Sequence, residues 1–87
     1  MDEIRKLVET GNLDEALALL EDRRKENPDD AEVLYELGCL YWKKQDWKHC
    51  LDCYSEAMRL NQESPASEAR KMVLDILQFY NKEMFNV

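Results

Sequence analysis

The residues that could carry out chemistry lie close together in one short run, His49-Cys50-Leu51-Asp52-Cys53. Cys50 and Cys53 have the spacing of a redox pair, and His49 and Cys53 stand four residues apart, on one face of a helix. A zinc site needs about four ligands, which cannot be assembled from a chain with a single histidine. A thioredoxin-like pair needs a strand–helix junction, which is not predicted here. We therefore interpret the cysteines as structural and expect no bound metal or cofactor.

Nucleophilic catalysis is not indicated by the sequence either. The third cysteine, Cys39, makes the number of cysteines odd, which favours reduced thiols over a disulfide framework. A Cys–His pair on the outer face of a helix would have neither a cleft nor oxyanion donors. The chain contains no glycine-rich phosphate loop and no triad motif, and its many Asp and Glu residues are typical of solvated faces. We expect a protein that is not an enzyme.

The net charge of −7 arises in the first part of the chain. Residues 1–36 hold 12 acidic and 5 basic residues, whereas residues 37–87 hold 7 of each. An acidic surface repels nucleic acid and anionic membranes, so neither is an expected partner. A basic or neutral protein or peptide is the partner class that this charge favours.

Length and hydropathy place the chain in a broad class. Its 87 residues are 45% hydrophobic and 36% charged, with two Gly and two Pro, which is typical of one small helix-rich domain. No apolar run approaches the ~20 residues that span a bilayer. The acidic N-terminus lacks the basic start and apolar core of a signal peptide, so we expect a cytoplasmic protein.

Hydrophobic periodicity and turn residues predict five helices. Gly11 is expected to end the first helix in a left-handed conformation, and Asn12 with Glu15 to form a capping box for the second. Either Asp29 or Asp30 can cap the third helix, Asp46 the fourth, and Pro65 begins the fifth. The predicted helices cover approximately residues 2–10, 13–26, 31–44, 47–60 and 65–83.

Two residues in and after the third helix are unusual for their location. Gly38 costs about 1 kcal/mol of helix propensity relative to alanine, which makes sense if the next helix crosses too close for a side chain. Gln45 stands between paired helices, where a left-handed turn is expected, and this conformation costs a non-glycine residue about 1 kcal/mol.

Residues 31–65 contain a 34-residue pattern of a large apolar residue, Leu-Gly, Tyr, a small residue and an aromatic at fixed steps. The residues at these steps are Leu34, Leu37, Gly38, Tyr41, Cys50 and Tyr54, with Gln62 where Pro is usual. The pattern also occurs 34 residues earlier, at Ala16, Leu20 and Pro28. On these residues, the chain resembles the tetratricopeptide repeat (TPR) family over roughly residues 1–62.

The resemblance implies an all-α fold, a right-handed helical solenoid of antiparallel helix pairs with five helices. It implies a single domain over residues 1–87, with an N-terminally short first repeat at 1–30 and a second repeat at 31–64. Residues 65–87 would form a capping helix and tail, and this helix keeps the repeat pattern if one residue is inserted before it. Its inward-facing residues are then Ala69, Met72, Val73 and Ile76.

Members of the family bind protein partners in a concave groove lined by the first helix of each pair. The matching groove positions in this sequence are Arg5, Glu9, Glu32, Tyr35, Glu36, Cys39, Trp42 and Lys43. In the last helix they are Arg70, Val73 or Leu74, and Leu77, depending on the insertion. Tyr35 and Trp42 are the expected anchors, because large aromatic side chains dominate the binding energy of interfaces. The alternative for Trp42 is packing against the last helix.

One specific function of the family is not expected here. Members that bind the acidic C-terminal tails of chaperones use Lys, Asn and Arg side chains that hold carboxylates. Glu36 replaces one of the amide donors of this clamp, and a carboxylate there would repel an acidic ligand.

The C-terminal stretch is unusually rich in large apolar side chains. They are Leu77, Phe79, Tyr80, Met84 and Phe85, more than one face of a final helix can hide. Either the tail folds back on the end of the solenoid, or these residues form a self-association or partner face. The sequence therefore predicts non-catalytic protein–protein recognition, the work of an adaptor or scaffold. The alternative is a structural homo-oligomer, such as a homodimer, assembled through the last helix.

Overall fold

The computed structural model describes the backbone of residues 2–85 and the side chains of residues 3–78. Within that part of the chain there are five helices and no strand, so the predicted all-α fold is confirmed. The helices are α1 (Asp2–Glu9), α2 (Leu13–Glu26), α3 (Ala31–Lys43), α4 (Trp47–Leu60) and α5 (Ala66–Phe85). Each helix packs against its neighbours in sequence, most extensively α3 against α4. This is the layered arrangement expected of a solenoid, in which each helix pair contacts only adjacent units.

The turn between α1 and α2 is set by Gly11, whose φ of 83° lies in the left-handed region. The Gly11 N–H donates to the Val8 carbonyl (3.1 Å), and the Asn12 N–H donates to the Leu7 carbonyl (2.7 Å). This pair of hydrogen bonds is a Schellman motif, which satisfies the last carbonyls of α1 and reverses the chain. The predicted left-handed end of the first helix is present.

The turn between α3 and α4 has the same geometry with a different residue. Gln45 has a φ of 60°, its N–H donates to the Trp42 carbonyl (2.8 Å), and the Asp46 N–H donates to the Tyr41 carbonyl (2.9 Å). The expected left-handed glutamine is therefore present, and each of these two helix pairs is joined by the same motif.

The N-terminal caps predicted from the sequence are present at α3 and α4 but not at α2. Asp30 accepts hydrogen bonds from the Glu32 and Val33 amides (3.0 and 3.4 Å), and Asp46 accepts one from the His49 amide (3.3 Å).

The capping box predicted for α2 is wrong, since the Asn12 side chain makes no capping hydrogen bond. Its Nδ2 instead donates to Thr10 Oγ1 (2.9 Å). The Glu15 half of the box also has no donor to bind, because the Asn12 N–H already bonds to the Leu7 carbonyl.

The core consists of two clusters of buried side chains that meet at α3. The first cluster lies between α1, α2 and α3 and receives one residue from α4: Ile4, Ala16, Leu17, Leu20, Val33, Leu37, Leu40 and Cys53. The second lies between α3, α4 and α5: Leu34, Cys50, Tyr54, Ala57, Ala66 and Val73. The expectation that Cys53 shares an outer face with His49 is wrong. Only 4% of Cys53 is exposed, because α4 turns it towards the first cluster.

The register of α5 differs in part from the prediction. Ala66 and Val73 are fully buried, and Ala69 and Leu77 pack against the second cluster. These residues are spaced three, four and four apart, which is one stripe of a helix that packs mainly against α4. Met72 lies outside this stripe and is 56% exposed, so its predicted inward position is wrong.

The close approach predicted at Gly38 is present. A Cβ placed there would lie 2.5 Å from Cδ1 and 3.0 Å from Cζ of Tyr54, whose side chain is 1% exposed. Real Cβ atoms are not found that close to a ring carbon, so glycine is what allows α4 to pack on α3 at this point.

We expect Gly38→Ala to destabilise the fold. Overpacking a well-packed core costs about 1–3 kcal/mol. Alanine regains about 1 kcal/mol of helix propensity, so over most of this range the overpacking cost is the larger of the two. Urea unfolding of Gly38→Ala, Tyr54→Leu and the double variant would measure the coupling between the two positions. The added methyl group should be less harmful in the Tyr54→Leu background than beside the native ring. A stabilised Gly38→Ala variant would contradict the close approach.

We expect Gln45→Gly to stabilise the fold by about 0.5–1 kcal/mol, because glycine adopts positive φ without steric cost. The comparison is Lys44→Gly, one residue earlier, where φ is −84° and where the substitution also removes the ion pair with Asp14, so this variant should be destabilised. Thermal unfolding of the two variants should therefore shift in opposite directions. Equal destabilisation by both would show that the left-handed turn carries no strain.

Candidate functional site

One face of α3, at the edge of the second core cluster, carries a partly exposed stripe of two aromatic side chains and a cysteine. Tyr35, Cys39 and Trp42 are spaced four and three residues apart, so they lie on one side of the helix, and each is partly exposed. The helix α5 crosses α4 so that Ala69 and Met72 face this stripe. Together they enclose a groove of about 360 Å³, lined by Tyr35, Cys39, Trp42, Lys43, Tyr54, Ala69 and Met72. We call this the apolar pocket.

The aromatic rings of the apolar pocket are held by contacts with α4. The Tyr54 ring lies between its neighbours, with ring centroids 5.9 Å from Tyr35 and 6.5 Å from Trp42. Trp42 also meets Trp47 edge-on, at a centroid distance of 6.2 Å. Edge-on and tilted pairs at these distances are favourable. The rings are thus fixed in place before anything binds.

A second groove, of about 350 Å³, adjoins the first at the N-terminal end of α3. Its lining residues are Ala31, Glu32, Tyr35, Glu36, Asn61, Glu63, Ser64 and Pro65. Three of these are carboxylates, and Tyr35 belongs to both grooves. We call this the acidic pocket.

The turn between α4 and α5, which carries Glu63, is held by local hydrogen bonds. The Glu63 N–H donates to Asn61 Oδ1 (3.0 Å), and the Ala66 N–H donates to Ser64 Oγ (3.1 Å).

The floor of the apolar pocket is uncharged. The Tyr54 hydroxyl donates to Cys39 Sγ (3.4 Å), and burial, followed by this thiol, raises the pKa of Tyr54. The pKa of Tyr35 is raised as well, chiefly by the neighbouring Cys39 thiol and then by burial. Both phenols therefore stay protonated at neutral pH and present an aromatic surface rather than a base.

The cysteine run on α4 is divided between the two clusters. Burial raises the pKa of Cys50 to about 11 and that of Cys53 to about 12, so neither thiol ionises at neutral pH. His49 lies outside, where Nδ1 is 2.8 Å from Asp46 Oδ2 and its ring stacks on Tyr41. No group of three His, Cys, Asp or Glu side chains suited to a metal ion occurs among residues 3–78. The arrangement supplies no activated nucleophile.

The residues predicted for the groove fall into three places. Tyr35, Cys39, Trp42 and Lys43 line the apolar pocket, whereas Glu32 and Glu36 line the acidic one, with Tyr35 common to both. Arg5 and Glu9 are exposed on α1 and line neither pocket.

The last helix contributes different residues from those predicted. Val73 is buried, Arg70 Nε donates to Ser55 Oγ (3.2 Å), and Leu74 is 38% exposed. Ala69 and Met72 are the α5 residues of the apolar pocket. Ala69 also packs against the second core cluster, as the sequence pattern predicts, whereas Met72 does not. The small and apolar stripe Ala66, Ala69, Val73 and Leu77 was the available signal for the true register.

Of the apolar C-terminal residues, Leu77 packs against the second core cluster. The side chains of Phe79, Tyr80, Met84 and Phe85 lie outside the described residues. Within the described part, no helix combines the length and the apolar character needed to cross a membrane.

Comparison with known proteins agrees with the helical repeat fold described above. Residues 31–64 match the model of the tetratricopeptide repeat family. The solution NMR structure of the Bacteroides fragilis protein BF1650 is similar over 98% of this chain and 87% of that one, with 43% sequence identity and a TM-score of 0.84. The chain belongs to the tetratricopeptide repeat family. TPR proteins generally mediate protein–protein interaction and are typically non-catalytic. No curated protein matches this TPR chain at a significant level.

We expect a thiol-specific reagent to modify one cysteine of the folded TPR protein rapidly. Cys39 is partly exposed in the apolar pocket, whereas Cys50 and Cys53 are buried thiols with raised pKa values. Mass spectrometry at about pH 8 should give one fast adduct and two that form only at the rate of unfolding. Cys39→Ser should abolish the fast adduct. Rapid modification at three sites would contradict the burial of the α4 thiols.

Proposed function

We propose that this TPR protein is a non-catalytic recognition module that binds a protein or peptide partner in the groove between α3 and α5. The observation that carries the proposal is the apolar pocket, a groove of about 360 Å³ with Tyr35 and Trp42 at its sides and Tyr54 below. A volume of this size lies at the low end of ligand pockets, about 300–1,000 Å³, and suits one large side chain of a partner.

The energetics of such a site favour a small number of anchoring contacts. Burying one large apolar side chain contributes about 1.5–3 kcal/mol. The rings of Tyr35 and Trp42 are already packed on α4, so little side-chain entropy is lost on binding. Aromatic residues in preformed pockets are the usual hot spots of interfaces.

The proposed role is that of an adaptor or scaffold in the cytoplasm. Its three cysteines are unpaired, which suits a reducing compartment. The partner class, a basic or neutral protein or peptide, follows from the net charge of −7.

A second candidate is a homo-oligomer assembled through α5. This candidate is supported by two large apolar side chains that α5 exposes, Met72 (56% exposed) and Leu74 (38% exposed). Apolar surface of this kind is a common mark of protein contacts.

The test is affinity capture with four baits: wild type, Tyr35→Ala/Trp42→Ala, Met72→Glu and the control Lys48→Ala/Asp52→Ala. Met72→Glu places a charge in the groove without disturbing the core, and Lys48 and Asp52 are exposed on α4 away from both pockets. Loss of about 2 kcal/mol at a hot spot weakens binding roughly thirtyfold, so a groove partner should disappear with both groove variants and persist with the control.

The bound complex should also protect Cys39 from alkylation, because the thiol lines the pocket. Capture of the same partners by all four baits, with circular dichroism showing intact helices, would refute the groove. Recovery of copies of this chain alone, lost with Met72→Glu, would favour the homo-oligomer.

A further inference from the structure

We infer that the groove recognises a peptide segment that carries one large apolar and one cationic side chain, with the cation at the N-terminal end of α3. This rests on the proposed function and specifies the chemistry of the partner. Its basis is the arrangement of the two pockets, which lie side by side along α3 and share Tyr35. One bound segment can therefore fill both.

The acidic pocket is suited to a cation because three glutamates and no lysine or arginine line it. Glu32, Glu36 and Glu63 line the same groove of about 350 Å³. The ion pairs found among residues 3–78 all lie elsewhere and none of them includes these three: Arg24–Glu21, Lys44–Asp14, His49–Asp46 and Arg59–Glu56. A guanidinium or ammonium group makes charge-assisted hydrogen bonds with carboxylates, so a cationic side chain of a partner suits this pocket.

The opposite end of the groove has the opposite charge. Lys43 lines the apolar pocket one turn beyond Cys39 and is exposed. The groove therefore runs from acidic, at Glu32 and Glu36, through aromatic, at Tyr35 and Trp42, to basic. This order fixes the direction in which a partner with one cationic residue binds, since the reverse direction brings the cation to Lys43.

The helix spacing gives the distance between the two features of the partner. Glu32 and Glu36 are centred about five residues before Cys39, the middle of the apolar stripe, which corresponds to about 7.5 Å along α3 at a rise of about 1.5 Å per residue. An extended peptide rises about 3.3 Å per residue, so its cationic and apolar side chains should be two residues apart. In a helical partner the two side chains must also share one face of the helix, so a separation of four residues, about 6 Å, is the best match.

The test is selection from a phage-displayed library of random dodecapeptides on three forms of the protein. These are wild type, Glu32→Gln/Glu36→Gln/Glu63→Gln, and Tyr35→Ala/Trp42→Ala. Wild type should enrich peptides with Arg or Lys two or four residues from a large apolar residue. The glutamine variant should keep the apolar preference and lose the basic one, because its apolar pocket is unchanged.

The outcomes separate the two proposals. Enrichment of apolar residues alone, equal on wild type and the glutamine variant, would overturn the acidic pocket and leave the groove function intact. If wild type enriched no peptides that Tyr35→Ala/Trp42→Ala does not also enrich, both the groove function and the acidic pocket would be overturned.

A matched charge control removes the effect of net charge. Glu15→Gln/Asp22→Asn/Glu26→Gln also removes three carboxylates, all exposed on α2 and absent from both pockets. At low salt, the selected synthetic peptide should bind the groove variant about tenfold or more weakly than wild type, but the α2 variant less than about twofold more weakly. Equal weakening by both triple variants would reduce the effect to long-range charge and overturn the acidic pocket.

Discussion

The contact between Gly38 and the Tyr54 ring is the constraint on which the rest of this structure depends. It lets α4 approach α3 so closely that the ring lies against the α3 backbone and is fully buried. From that position Tyr54 belongs to the second core cluster and also forms the floor of the apolar pocket. Tyr35 and Trp42 rest on either side of it, so the packing of two helices and the shape of the groove are set by one missing methyl group.

The features that the sequence predicts correctly are those decided within a few residues. Gly11, Gln45, Asp30 and Asp46 each act on the turn in which they stand, and their geometry follows from φ preference and hydrogen-bonding capacity alone. The stripe on α3 is also local, since the helical period determines which side chains share a face.

The features that the sequence does not predict depend on contacts between residues that are far apart in the chain. The register of α5 is set by its contact with α4, which the repeat pattern does not determine, so Met72 lies in the groove and not in the core. The buried stripe of α4 is divided between the clusters, with Cys53 in the first and Cys50 and Tyr54 in the second, and this division depends on contacts with other helices. The convergence of Glu63 with Glu32 and Glu36 likewise comes from folding a turn against a helix 27 and 31 residues away in sequence.

The helix α5 supplies one wall of the groove while packing mainly against a single neighbour. A wall that is held mainly by one neighbouring helix is expected to open more readily than α3, which packs between α2 and α4. A partner that touches α3 and α5 together ties the two walls of the groove to each other. Because both walls must be in place for binding, the affinity of the groove then depends on the stability of the contact between α5 and α4 as well as on the contacts with the partner.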